Sequence, residues 1–220
     1  MATRLAARET DLLLTVSHEL RAPLASIRLA AGALVAGDVP ESERDRLLQM
    51  IVREADHLSR LVGDLRAVTG PGLELRPCDA ASLAHDVAEA AALRAPEGVA
   101  VEVDTVRGLS PVMADPDRLR QVLVNLVENA LAHSPERGTV TLSIEAGPDR
   151  TRFAVSDGGL GVPEAERELV FKRLYGRSSG GSGLGLYVCR ELVSRMDGRI
   201  WVEPREDAPG ARFVFELPSA

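Results

Sequence analysis

The spacing of apolar residues changes character once along this chain, near residue 70, and that change limits what it can fold into. Up to Val68 apolar residues recur only at threes and fours. Leu13, Val16, Leu20, Leu24, Ile27, Ala31 and Leu34 form one stripe, which predicts a long helix ending at about Val35. "AGDVPES" breaks it with Gly37, Asp38 and Pro40, and Ser42 or the preceding turn supplies a cap. A second helix from about Glu41 carries Leu47, Ile51, Leu58, Leu61, Leu65 and Val68 on its seam, interrupted by Glu54. Two helices with narrow seams make an antiparallel hairpin that buries too little surface to stand alone. Pairing two hairpins into a four-helix bundle is the remedy, so residues 1–69 are expected to form a homodimer.

Beyond "TGPGLELRPCD", whose Gly and Pro mark residues 70–78 as a linker, helices alternate with strands over residues 79–220. A helix is predicted from about Ala80 to Arg94, a strand at "VAVEVD", and a long helix from Pro116 to about His133 capped by Asp115. "TVTLSIEA" and "TRFAVSD" read as paired strands around Gly147, Pro148 and Asp149. A helix from about Leu184 to Met196 precedes two last strands, "RIWVE" and "ARFVFEL". The whole is therefore α followed by α/β: a helical hairpin, then a two-layer sandwich with helices on one face of a sheet.

Composition excludes some partners. With a net charge of −7 and a pI near 5.2, the chain lacks the clustered cations that bind a phosphate backbone, so nucleic acid is not expected. Lys172 is the only lysine, which is attributed to genome composition. Cys78 and Cys189 lie far apart without metal-ligand spacing and read as reduced thiols of a cytosolic protein. No apolar run reaches the ~18 residues of a membrane span, and no signal peptide opens the chain.

Five features carry chemistry. In "TVSHELRAPLASIRLAAG", His18 falls nearly opposite the apolar stripe, so neither a core nor a capping role fits it, and a solvated surface histidine is the plain alternative. Asn125 and Asn129, four apart in "VLVNLVENALAHSP", share one helix face. Amides are costly to bury unpaired, so the pair either lines a cavity or makes a structural network. Oxygen donors that leave most positions to water and phosphate suit Mg²⁺. In "SDGGLG", Gly158, Gly159 and Gly161 follow a strand and let backbone approach a flat ligand, while Asp157 can accept from an amino group such as adenine's. "GGSGLGL" opens a helix at about residue 184, where free N–H groups favour an anion. It is neither a Rossmann fingerprint nor a Walker loop. Between these, "ELVFKRLYGRSS" combines an apolar anchor, Phe171, with Lys172, Arg173 and Arg177 as candidate phosphate partners.

In order and spacing these boxes resemble those of two-component sensor histidine kinases over essentially the whole chain. "SHELRAPL" is similar to the phosphoacceptor box, "NLVENALAHSP" to the asparagine box, "DGGLG" and "GSGLGL" to the two glycine boxes and "FKRLY" to the phenylalanine box. The resemblance implies a dimeric phosphoacceptor hairpin followed by a Bergerat-type ATP-binding domain. ATP and Mg²⁺ are the implied cofactors, and the receiver domain of a response regulator is the implied partner. His18 would be the phosphoacceptor and Glu19 would orient its imidazole and take its proton. Asn129 would hold Mg²⁺, and Asn125 would stand beside the phosphates. Asp157 would accept from adenine, with His133 in the place of a stacking aromatic. Gly159, Gly161, Gly181, Gly183, Leu184 and Gly185 would cradle the nucleotide. Pro23 should bend the hairpin.

Three departures bear on these expectations. Ala132 stands where many members have a lysine, which shifts phosphate charge onto Lys172, Arg173 or Arg177. Ala22 replaces the usual Thr or Asn four residues after the phosphoacceptor, and weak phosphatase activity toward the regulator is expected. Only seventeen residues precede His18. Sensing is therefore expected either in a longer receptor of which this is the cytoplasmic core, or in a separate protein. A scaffold without activity would have little reason to keep these residues together. A clamp-type ATPase of the same superfamily normally has a glutamate at position 125, and neither it nor an anti-sigma-type serine kinase has the hairpin.

Overall fold

The computed structural model describes residues 20–37, 39–70, 72–106, 108–173, 175, 183–205 and 209–220. The chain divides into two compact units between Gly70 and Pro71. In the first unit, helix α1 is described over 20–36 and helix α2 spans Glu41–Thr69. The backbone hydrogen bond that Pro23 forgoes runs to residue 19, so the expected bend lies outside the described residues.

At the start of α2 the preceding turn, not Ser42, supplies the cap position. Pro40, with extended backbone, occupies the cap position and no side chain bonds there. Glu41 and Glu43 in the first turn complement the positive end of the helix instead. Within one chain Pro23 and Ala30 are the buried residues among those described in α1, and Leu24, a stripe residue, is 55% exposed. In α2, Leu61, Asp64 and Ala67 are buried. Leu29, Leu48, Val52 and Val62 remain exposed, so within one chain much of the unit's apolar surface is uncovered.

The second unit is built on a five-stranded sheet in the order β2-β4-β5-β7-β6. Its strands are β2 Val99–Thr105, β4 Gly138–Ala146, β5 Arg150–Ser156, β6 Arg199–Pro204 and β7 Ala211–Pro218. β2 runs parallel to β4 and every other pair is antiparallel. Helices α3 (Ala80–Ala92), α4 (Pro116–His133) and α5 (Gly185–Arg195) pack on the sheet. Alternation along the strands separates two faces. Val140, Leu142, Ile144, Phe153, Val155, Phe213, Phe215 and Leu217 are buried in the core, with the Phe153 and Phe215 rings stacked at 4.5 Å. The opposite face carries Thr141, Ser143, Glu145, Arg152, Arg212 and Trp201, with Arg152 and Arg199 over the indole.

Residues read as the end of the linker prove to be structural. Arg76–Cys78 form a strand, β1, antiparallel to β3 at Val112–Ala114, and neither strand was predicted. Three residues of "RPC" and "VMA" are too short to show a period. Asp115 ties this small sheet to the long helix: Oδ1 accepts from the N–H groups of Asp117 and Arg118, and Oδ2 from that of Glu74. A cap of this kind is worth about 1 kcal/mol. Cys78 and Cys189 are buried thiols, and burial together with Asp79 pushes the Cys78 thiol up, which favours its protonated form.

Candidate nucleotide site

The polar residues of α4 sit where an otherwise apolar helix faces the loop entering α5. Leu119, Val122, Leu123, Leu126, Val127 and Ala130 are buried, and Asn125 and Asn129 are half-buried one turn apart. Asn125 Nδ2 donates to the Gly185 carbonyl at 3.3 Å, joining the asparagine box to the second glycine box across sixty residues. Of the two alternatives open for the Asn pair, this makes Asn125 part of a structural network.

Gly185 is the first residue of α5, capped by Leu184, which is buried. Val188 N–H bonds the Leu184 carbonyl, and no side-chain cap bonds the first turn. Gly183 has φ +66°, a conformation that side chains rarely adopt, so a glycine is required where the chain turns into the helix.

The strand-end aspartate is the most constrained residue of the region. Asp157 is 2% exposed. Its Oδ1 accepts from Gly159 N–H at 2.9 Å and from Ala211 N–H at 3.2 Å, its own N–H donates to the Ala211 carbonyl, and its carbonyl accepts from Arg205 Nη1 at 2.9 Å. Both hydrogen bonds described for the carboxylate fall on Oδ1. The glycines beside it are required by space: a Cβ on Gly159 would lie 2.3 Å from the His133 carbonyl oxygen, and one on Gly161, at φ +77°, 2.7 Å from that of Gly210. His133 therefore meets this loop through its main chain at the end of α4, while its side chain is exposed.

Phe171 is buried edge-on to Phe213, and the Arg190 guanidinium lies 6.0 Å from its ring centre. This anchors the segment bearing Lys172, exposed, and Arg173, half-buried. Tyr175 OH donates to Glu166 Oε2 at 2.6 Å, which ties the same segment to the 3₁₀ turn at Glu164–Glu166. Hydrogen bonds and close approaches thus join Asn125 to Gly185 and Asp157 to Gly159, with the His133 carbonyl against Gly159 and Gly161 against Gly210. Asn129, Lys172 and Arg173 enter none of these bonds. His18, Glu19, Arg177 and Gly181 lie outside the described residues. Sequence reasoning missed Arg205, Gly210 and Ala211. A Pro-Gly pair before a strand marked the turn that holds Gly210, but nothing marked Arg205 as a partner of Asp157.

Among the described residues no group of three or more His, Cys, Asp or Glu side chains could hold a metal, and no helix is long and apolar enough to cross a membrane.

Two protein families match the chain: the His Kinase A (phospho-acceptor) domain over residues 8–69, and the histidine kinase-, DNA gyrase B- and HSP90-like ATPase over residues 114–220. The alginate biosynthesis sensor protein KinB of Pseudomonas aeruginosa is 34% identical over 95% of this chain and 37% of its own length. The adaptive-response sensory kinase SasA of a Synechococcus strain is 35% identical over 98% of this chain and 58% of its own. The chain thus spans about a third to three fifths of the curated relatives it matches. Among solved structures, full-length ShkA in complex with AMPPNP is 32% identical over 96% of this chain and 46% of its own, with a TM-score of 0.71. The catalytic domain of histidine kinase ThkA is 30% identical and matches over 99% of its length and 67% of this chain, with a TM-score of 0.59. ThkA in complex with the response regulator TrrA is 25% identical over all of this chain and 64% of its own, with a TM-score of 0.78. With a phosphoacceptor match followed by an ATPase match, and an α/β unit that holds Asn125, Asp157 and Gly185 in the family's order, the chain belongs to the two-component sensor histidine kinases.

Proposed function

We propose that this chain is the kinase core of an ATP-dependent protein-histidine kinase. It phosphorylates itself on His18 and passes the phosphoryl group to an aspartate of a response regulator. The observation that carries the reading is the bracing of Asp157: with both described hydrogen bonds on Oδ1, Oδ2 is the oxygen that takes the amino group of adenine. The ShkA structure with AMPPNP and the ThkA complex with TrrA support the nucleotide and the partner.

The donor set fits Mg²⁺, a hard cation that keeps water and phosphate ligands and needs little from the protein. Asn129 would hold it, and the ion would neutralise charge on the transferring phosphate. Asn125, whose amide N–H₂ is committed to Gly185, would stand beside the phosphates, with Lys172 and Arg173 supplying positive charge and His133 flanking adenine. Gly159, Gly161, Gly181, Gly183, Leu184 and Gly185 would form the cradle. Glu19 would orient the His18 imidazole and take its proton, leaving the other nitrogen to attack the γ-phosphate. A neutral imidazole is available near pH 7 because the unperturbed pKa is ~6.5. Transfer then needs chiefly position and charge neutralisation.

The hairpin within residues 1–69 would dimerise, covering Leu24, Leu29 and Val52, which one chain leaves exposed. The chain before β1 connects it to an ATP-binding domain that takes in β1 and residues 79–220, and the place of action is the cytoplasm. Ala22 is exposed on α1. Its methyl cannot position water by hydrogen bonding, so phosphatase activity toward the regulator is weak.

Incubation with γ-labelled ATP and Mg²⁺ tests the reading. An acid-labile, alkali-stable phosphate on His18 is expected, and equal labelling of His18→Gln would overturn the assignment.

A further inference from the structure

We propose that Arg205 is a positioning residue for adenine recognition, acting on Asp157 through the Asp157 carbonyl. The proposal rests on the reading that Asp157 accepts the adenine amino group. Arg205 follows the last residue of β6, Pro204, and belongs to none of the boxes that carry the family resemblance. Its Nη1 donates to the Asp157 carbonyl at 2.9 Å.

That carbonyl is the pivot between a rigid strand and a loop of glycines. Ladder pairing holds Ser156 against Arg212, and beyond it Asp157 N–H bonds the Ala211 carbonyl. After Asp157 come Gly158 and Gly159, which place almost no steric restriction on the chain. Rotation about the Asp157 Cα–C bond would turn the Asp157 carbonyl and carry the following Gly159 N–H away from Oδ1, releasing the carboxylate. A hydrogen bond to the carbonyl is what stops that rotation. It comes from a guanidinium, whose planar donor set stays charged at all working pH values.

The β6–β7 connection is built to bring Arg205 there. Gly210 has φ +133°, and a Cβ on it would stand 1.9 Å from the Asp157 carbonyl oxygen and 3.2 Å from Arg205 Cδ. Only a glycine lets this main chain pass so close. Ala211, the next residue, supplies both main-chain groups that hold Asp157 from the other side. Strand end, connection and guanidinium thus hold Asp157 by its N–H, its C=O and one carboxylate oxygen, which leaves the second oxygen with a defined direction.

Calorimetry with the full chain tests this, comparing ATP with purine riboside triphosphate, which lacks only the amino group, for the parent protein, Arg205→Met and Arg205→Lys. Thermal unfolding without nucleotide is recorded alongside. The parent is expected to prefer ATP by about tenfold or more, the worth of one hydrogen bond to a charged group. Arg205→Met should lose most of that preference while its affinity for purine riboside triphosphate changes less than about twofold, and Arg205→Lys, which keeps a charged donor, should retain a large part. Arg205→Met weakening both nucleotides equally, or neither, would overturn the proposal, because a purely structural role does not discriminate. If Arg205→Met does not fold, Arg205→Lys decides: a partial loss of the preference for ATP with affinity for purine riboside triphosphate kept supports the proposal, and affinities that fall in parallel or do not change overturn it. A parent protein that binds both nucleotides equally overturns the reading of Asp157 itself.

Discussion

Two substitutions at Asp157 should separate recognition from stability, because one oxygen of its carboxylate braces the loop and the other is the one proposed to take adenine. In Asp157→Asn the amide oxygen can still accept from the Gly159 and Ala211 N–H groups, now 2.9 and 3.2 Å from Oδ1. Those two donors select the orientation, since the amide nitrogen in that place would face them donor to donor. Stability should fall by only about 1 kcal/mol, the difference between charged and neutral acceptors. The amide nitrogen then points where the adenine amino group must donate. Loss of a hydrogen bond to a charged group, about 1.5–3 kcal/mol, weakens ATP by roughly 10- to 150-fold. Asp157→Ala removes both acceptors. Each N–H left buried without a partner costs about 1–3 kcal/mol, so the unit loses about 2–6 kcal/mol, a large share of the 5–15 kcal/mol typical of a domain. Thermal unfolding in the absence of nucleotide, read beside ATP calorimetry, separates the two variants. Equal melting of Asp157→Ala and the parent would refute the bracing, and undiminished ATP binding by Asp157→Asn would refute the recognition.

Gly159→Ala should destabilise by about 1–3 kcal/mol and weaken ATP, because its Cβ would press on the His133 carbonyl from 2.3 Å; unchanged melting and binding would contradict this. Leu61 is 1% exposed, so Leu61→Glu should dissociate or unfold the hairpin at a cost of about 3 kcal/mol or more, which sedimentation and circular dichroism can follow. Ala22→Thr should raise the rate at which the ADP-bound protein dephosphorylates its regulator, and rapid dephosphorylation by the unmodified protein would count against the role given to Ala22. The hydrogen bond to Glu166, then lesser burial and charge contributions, pushes the Tyr175 phenol above its ordinary value near 10. Since the folded pKa is raised, the contact contributes fully below pH 10 and is lost as pH climbs through the higher folded value. Ultraviolet titration of the Tyr187→Phe variant should show that late ionisation, and adding Glu166→Gln should move it down.

Elements long enough to show a period were legible from residue spacing: α4 begins at Pro116 under the Asp115 cap, and β4 and β5 meet around Gly147. Elements held by pairing with distant segments were not, as with β1 and β3, three residues each, which pair with one another while β3 also bridges Ser219. In the hairpin, periodicity found the helices, and within one chain Pro23, Ala30 and Leu61 are buried while Leu24 is left exposed, because a seam meant for a second hairpin is only half covered by its own. The site divides similarly. Asn125, Asp157 and the glycines stand in recognisable runs, whereas Arg205 acts through a carbonyl forty-eight residues away, and a hydrogen bond to the main chain leaves no mark on the sequence of its acceptor.

β7 comes last among the strands in chain order yet lies inside the sheet, between β5 and β6. A growing chain that has reached Ser156 therefore has β4 and β5 but lacks the neighbour that supplies the Ala211 amide and carbonyl. Until that strand inserts, β5 is an open edge, and the carboxylate at its end has lost one of its two main-chain donors. Nascent chains stopped before Ala211 should bind no nucleotide, so the protein gains its affinity for ATP in one late step rather than by degrees.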